Sequence, residues 1–171
     1  MVGVSPIRRD PKQPATLLCI DDRVIYLPIR KAYLESHGYA VLTAASGREG
    51  LQLLAEHLIA AVVLDYRMPE MNGGEVARVI RRTRPGLPII MLSGFAGEIP
   101  SDVRSLVNVV VAKGEGAKAL LEALETALPN AVLSPRVQAP TRGSIKQTRQ
   151  QVQRTREAVA ERRRRFSGGR R

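Results

Sequence analysis

The arrangement that most constrains this chain is a repeated one. Five short apolar runs occur along it, each followed by a stretch with helical periodicity. Thr16 to Ile20 closes on Asp21-Asp22, Ala60 to Leu64 on Asp65, Pro88 to Leu92 on Ser93-Gly94 and Val109 to Ala112 on Lys113, with Ala40 to Ala44 as the remaining run. Runs this short, without polar alternation, predict strands buried on both faces, and hence a parallel sheet covered by helices on each side.

The intervening segments supply those helices. One extends to about His37, with Pro28 near its first turn, where a missing N–H costs least, and Gly38 as its stop signal. Ser46 caps the next, in which Leu51, Leu54, Ala55 and Leu58 form a single apolar stripe. The turn-rich Met68-Pro69-Glu70-Met71-Asn72-Gly73-Gly74 leads into a helix reaching about Arg84. A shorter helix is expected over Ser101 to Leu106, and a last one carries Ala117, Leu120, Leu121, Leu124 and Leu128 on one face. Five strand–helix pairs fit a doubly wound α/β sheet better than an eight-fold barrel.

Charge divides the chain. It has 171 residues and a net charge of +11, but residues 1–128 hold 15 Lys and Arg against 14 Asp and Glu, whereas residues 129–171 hold 12 against 2. The expected organisation is a polar lead-in over 1–14, a near-neutral domain over 15–128 and a basic, Pro-broken, partly helical extension over 129–171. In that extension Ile145, Val152, Val159 and Phe166 recur every seventh residue after Ser144, a seam too thin for a stable coiled coil. Its charge suits an electrostatic contact with nucleic acid, an anionic surface or an acidic partner.

Other classes are excluded. A single cysteine, Cys19, rules out a disulfide framework, and the absence of Trp with 4% aromatics argues against a base-stacking platform. There is no Gly-Lys dipeptide for a phosphate-binding P-loop. The longest apolar run, Leu58 to Leu64, is too short to span a bilayer, and Arg8, Arg9, Asp10 and Pro11 stand where a signal peptide needs apolar residues. The expectation is a soluble cytoplasmic protein. His37 and His57 belong to no metal-spaced cluster, Cys19 reads as an inert core residue, and Arg78, Arg81, Arg82 and Arg84 read most simply as a solvated helix face, with a docking surface as the alternative.

In open α/β sheets ligands bind at the carboxyl ends of the strands. Asp21, Asp22, Asp65, Ser93 and Lys113 all fall there. Three carboxylates repel one another, which a divalent cation relieves, and Mg²⁺ prefers such oxygen ligands. Aspartate is also a nucleophile toward phosphorus, while an ammonium, a hydroxyl and a metal ion neutralise phosphoryl oxygens.

These residues resemble the response-regulator receiver domain of two-component signalling. The resemblance lies in Leu17-Leu18-Cys19-Ile20-Asp21-Asp22, in Val63-Leu64-Asp65-Tyr66-Arg67-Met68-Pro69-Glu70-Met71-Asn72-Gly73, in Ile90-Met91-Leu92-Ser93-Gly94 and in Lys113, and covers about residues 15–128. It implies a flavodoxin-like fold of five parallel strands in the order 2-1-3-4-5 with five helices. It implies that Asp65 accepts a phosphoryl group from a histidine kinase or phosphotransfer protein, so that the chain catalyses its own phosphorylation and dephosphorylation. Asp21, Asp22, Asp65 and the backbone carbonyl of Arg67 would hold Mg²⁺, with Asp22 the more direct ligand. Ser93 would bond a phosphoryl oxygen and Lys113 would pair with the phosphate, with output by contact with a downstream protein. Three positions depart from the family pattern: Val110 replaces its switch aromatic, Gly114 its proline after the lysine, and Arg23 a further acid. The alternative reading is a nucleic-acid-binding regulator whose basic tail is the output. An intact acidic pocket speaks against a third, a degenerate receiver serving only as a scaffold.

Overall fold

The computed structural model describes residues 14–129, apart from 96 and 98. The lead-in and the basic extension assigned from the sequence lie outside the described residues, Pro14 and Pro129 excepted. The chain alternates strictly: β1 (Thr16–Ile20), α1 (Tyr26–Ser36), β2 (Ala40–Ala44), α2 (Gly47–Glu56), β3 (Ala61–Asp65), α3 (Gly73–Thr83), β4 (Ile89–Ser93), α4 (Ser101–Arg104), β5 (Val109–Ala112) and α5 (Gly116–Ala127). All pairings are parallel and the order is β2-β1-β3-β4-β5, as the resemblance implied. The order reverses direction at β1, so a crevice opens between the carboxyl ends of β1 and β3.

Strand side chains alternate between two separate cores. Leu18, Ile20, Val62, Leu64, Ile89 and Met91 pack with Leu54 of α2, Val76, Ala77 and Ile80 of α3 and Val103 of α4. Leu17, Cys19, Val63, Ile90, Leu92 and Val111 pack with Leu27 and Leu34 of α1 and Leu120, Ala123 and Leu124 of α5. Ile80 and Leu34 are fully buried, and burial of such a side chain contributes roughly 1.5–3 kcal/mol.

The helix boundaries follow from local chemistry. α1 ends in a Schellman turn: Tyr39 N–H donates to Leu34 O (3.3 Å), Gly38 N–H to Glu35 O (3.0 Å), and Gly38 takes φ 87°, a conformation that a side chain disfavours. Ser46 caps α2 by accepting from Glu49 N–H (3.2 Å). At α3 a complete capping box forms, with Glu75 N–H on Asn72 Oδ1 (3.1 Å) and Asn72 N–H on Glu75 Oε2 (2.8 Å).

Several expectations need correcting. The buried face of α2 runs through Gly47, close against Val76 and Met71, Gly50, close against Ile20 of β1, and Leu54, while Ala55 is exposed and so is Leu58, which lies beyond the helix end at Glu56. Ala117 is likewise exposed and Ala123 takes the buried place on α5. The α3 arginines are not simply a solvated face. Arg81 donates to Leu106 O (2.6 Å), Pro85 O (3.1 Å), Leu87 O and Asn108 Oδ1 (2.9 Å). Arg84 donates to Leu54 O (2.6 Å) at the end of α2, and Arg78 pairs with Asp102. A guanidinium carries five donors, and these satisfy carbonyls that helix and loop ends leave open.

Candidate functional site

The carboxyl edge of the sheet gathers most of the chemistry. Asp21 follows the last residue of β1, and its N–H donates to Ala44 O of β2 (3.1 Å), which ties it to the sheet. Asp65 is the last residue of β3 and lies in register with Leu92. Ser93 ends β4 and Lys113 follows β5. One carboxylate oxygen each from Asp21, Asp22 and Asp65 lies within 4.8 Å of the others.

Each acid has a distinct set of partners. Asp65 Oδ2 accepts from Lys113 Nζ at 2.6 Å, and its Oδ1 accepts from Arg67 N–H at 3.3 Å. Asp21 is fully buried: Oδ1 accepts from Arg23 N–H (3.0 Å), and Oδ2 accepts from Arg30 Nη2 (3.1 Å) with Lys113 Nζ 3.7 Å away. Asp22 Oδ1 is buried and has no hydrogen-bond partner among the described residues. Burial pushes the Asp65 carboxyl above its ordinary range, and Lys113 opposes that shift through its hydrogen bond and its charge. An all-oxygen donor set, one atom of which is buried and unsatisfied, fits a small hard dication such as Mg²⁺.

Four of the residues singled out from the sequence, Asp21, Asp22, Asp65 and Lys113, therefore meet in one pocket, with Arg67 bound to it through its backbone. Ser93 is buried at the end of the neighbouring strand, where its hydroxyl donates to Phe95 O (2.8 Å) and accepts from Phe95 N–H (3.1 Å). Phe95 itself is 71% exposed. Val110 packs, half-buried, against the core that α2, α3 and α4 cover. Lys113, Gly114 and Glu115 form one 3-10 turn whose Glu115 Oε2 accepts from Ala112 N–H (3.0 Å).

The sequence reading missed Arg30. Its spacing from Leu27 and Leu34 (i, i+3, i+7) places a charge in the apolar stripe of α1, and that misplaced charge was the available signal. Arg30 also lines a cavity of about 490 Å³ between α1 and α5, with Tyr26, Ile29, Leu92, Lys113 and Leu120.

Known proteins share this fold. A family model described as response regulator receiver domain matches residues 17–125. The transcriptional regulatory protein GlrR of Escherichia coli is 37% identical over 119 residues, covering 68% of this chain and 27% of that protein. The response regulator SaeR of Staphylococcus aureus is 38% identical over 82 residues, covering 48% of this chain and 36% of that one. The chain thus matches about a quarter to a third of the length of these relatives. Among solved structures, a receiver domain protein of Clostridium thermocellum superposes with TM-score 0.63 at 30% identity, covering 67% of this chain and 94% of that chain. The response regulator TrrA of Thermotoga maritima, solved in complex with Mg²⁺-BeF, gives 0.64 at 27%, with 67% and 99% covered.

Proposed function

Since this chain belongs to the response regulator receiver domain family, we propose that it takes a phosphoryl group onto Asp65 from a phosphohistidine of a histidine kinase or phosphotransfer protein. The observation that carries this reading is the convergence of the Asp21, Asp22 and Asp65 carboxylates within 4.8 Å, with Lys113 Nζ 2.6 Å from Asp65. In the transfer, an Asp65 carboxylate oxygen attacks phosphorus in line with the donor nitrogen. The P–N bond breaks and its electron pair leaves with the imidazole. Lys113 already lies on the nucleophile and is placed to follow charge from the carboxylate to the phosphoryl oxygens. The Ser93 hydroxyl leaves its Phe95 partners to donate to a phosphoryl oxygen.

Asp22, with Asp65, Asp21 and the carbonyl of Arg67 completing the set, would hold a Mg²⁺ ion. When bound, that ion supplies charge neutralisation at the transferring group. The buried, unpartnered Oδ1 of Asp22 supports its part as direct ligand. Both oxygens of Asp21 already accept hydrogen bonds, which favours an outer role. With Val110 in place of an aromatic, output passes through another surface, to a downstream protein in the cytoplasm.

The test is direct. Incubated with Mg²⁺ and acetyl phosphate, the full chain should gain one phosphate in intact-mass measurements, and Asp65→Asn should gain none. No adduct on the wild type, or an equal adduct on the variant, rejects Asp65 as acceptor.

The charge of residues 129–171, 12 basic against 2 acidic, favours a second reading, in which the extension contacts nucleic acid or an anionic surface. Salt-dependent DNA binding by the full chain that residues 1–128 lack would support it.

A further inference from the structure

We infer that Arg30 is a resident counter-cation of the acidic pocket, which competes with a divalent ion for Asp21 and so sets how tightly the pocket holds that ion. The inference rests on the reading of Asp21, Asp22 and Asp65 as the ion-binding set.

Arg30 enters from the middle of α1, and its side chain is 13% exposed. Its Nη2 lies 3.1 Å from Asp21 Oδ2, the oxygen that Lys113 Nζ approaches to 3.7 Å. The three carboxylates carry a formal charge of −3 and the two cations +2. An arriving dication therefore meets a formal −1, and would meet −2 without Arg30. The guanidinium is a fixed cation. It can only move, and the adjoining cavity of about 490 Å³ leaves it room to do so.

The hydrogen bonding of Arg30 is consistent with a placeholder. Its Nη1 is buried and has no partner among the described residues. A purely structural arginine is better satisfied, as Arg81 is with its three carbonyls and one amide. Asp21, being fully buried, needs a cation beside it at all times. Arg30 supplies one while no ion is bound.

A plain latch between α1 and the end of β1 would make a different prediction. Removing it would lower stability and leave ion affinity alone. The discriminating experiment titrates the full chain with Mg²⁺ and follows backbone amide signals by NMR, for wild type, Arg30→Met and Arg30→Lys. Arg30→Met should bind Mg²⁺ about 3- to 30-fold more tightly, the range expected for one partly screened charge a few ångströms from a dication. Arg30→Lys keeps the charge and should stay within about twofold of wild type. The Mg²⁺-induced rise in melting temperature should be larger for Arg30→Met than for wild type.

Unchanged or weaker Mg²⁺ affinity in folded Arg30→Met overturns the inference. If that variant does not fold, the Nε–Hε signal of Arg30 in the wild type decides. It should shift and saturate with the same midpoint as the Asp22 amide, and a signal that stays put overturns the inference. The two readings fail separately. A wild type that binds no Mg²⁺ and takes no phosphate removes both. A wild type that binds Mg²⁺, with Arg30→Met no tighter, removes only the role of Arg30.

Discussion

Gly73, the first residue of α3, reports on how the phosphoacceptor is held. A Cβ added there would lie 2.3 Å from Asp65 O, 2.9 Å from Tyr66 Cα and 3.0 Å from Asp65 C. All three are backbone atoms, so no rotamer change relieves the overlap. To reach even 3.0 Å from the Asp65 carbonyl, the chain at Asp65 or at the start of α3 must shift by roughly 0.7 Å in a close-packed region. Gly73 N–H also donates to Tyr66 O (2.9 Å), so the shift strains that bond as well. Overpacking of this kind typically costs about 1–3 kcal/mol. A displacement approaching 1 Å at a reacting group can cost on the order of 10²-fold in rate. Helix propensity acts in the opposite direction, since Ala is better than Gly inside a helix by roughly 0.5–1 kcal/mol. The control is Gly50→Ala. There the added Cβ meets Ile20 Cδ1 at 2.3 Å and Cγ1 at 2.8 Å, the same nominal overlap, but with side-chain atoms rather than backbone. Urea denaturation and the initial rate of phosphorylation by acetyl phosphate are the assays. Gly73→Ala should lose about 1–3 kcal/mol and slow phosphorylation at least tenfold, while Gly50→Ala should lose less and phosphorylate at close to the wild-type rate. Equal losses in the two variants, or a Gly73→Ala protein as stable and as fast as wild type, would refute the reasoning that the backbone contact positions Asp65.

Two further outcomes follow from the fold. Asn72→Ala removes the capping box of α3 and should lower stability by about 1 kcal/mol, read as a lower urea midpoint at unchanged slope; an unshifted midpoint would show that the cap carries no net stability. Cys19 is fully buried and its thiol is pushed up to about 12 by burial, so a disulfide reagent at pH 8 should react with it only as fast as the domain opens, and at once in denaturant; prompt reaction of the native protein would contradict its place in the core.

Much of this arrangement was legible because the sheet is parallel and double-covered. Strands of that type show as unbroken apolar runs, and their carboxyl ends are where chemistry collects, so Asp21, Asp65, Ser93 and Lys113 could be located by reading where each run stops. At β3 and β4 the strand sits one residue beyond its apolar run, for a physical reason. Hydropathy ends at Leu64 and Leu92, but the ladder continues, with Tyr66 N–H donating to Leu92 O (2.9 Å), because backbone pairing is indifferent to side-chain polarity. Pro88 reads as strand by hydropathy, yet the strand begins at Ile89, with Pro88 contributing only its carbonyl to Val62 N–H (2.9 Å). What stayed hidden was the work of long side chains. Arg81 reaches across 25 residues to Leu106 O, and Arg30 across nine to Asp21, and no local periodicity encodes the far end of a guanidinium. The stripe on α2 was misread because glycines at Gly47 and Gly50 carry no hydropathic signal, although they make the close contacts.

The division of the interior into two cores has a consequence for how such a chain drifts over generations. Leu64 and Leu92 belong to neighbouring strands, yet they answer to different helices: Leu64 to α3, Leu92 to α1 and α5. A change of volume on one side is met by compensating changes on that side, and the sheet shields the other from the need to respond. Each face can therefore keep its own history. The helices that a partner touches can be rewritten without renegotiating the opposite half, while the shared carboxyl edge, to which both halves are anchored, holds still.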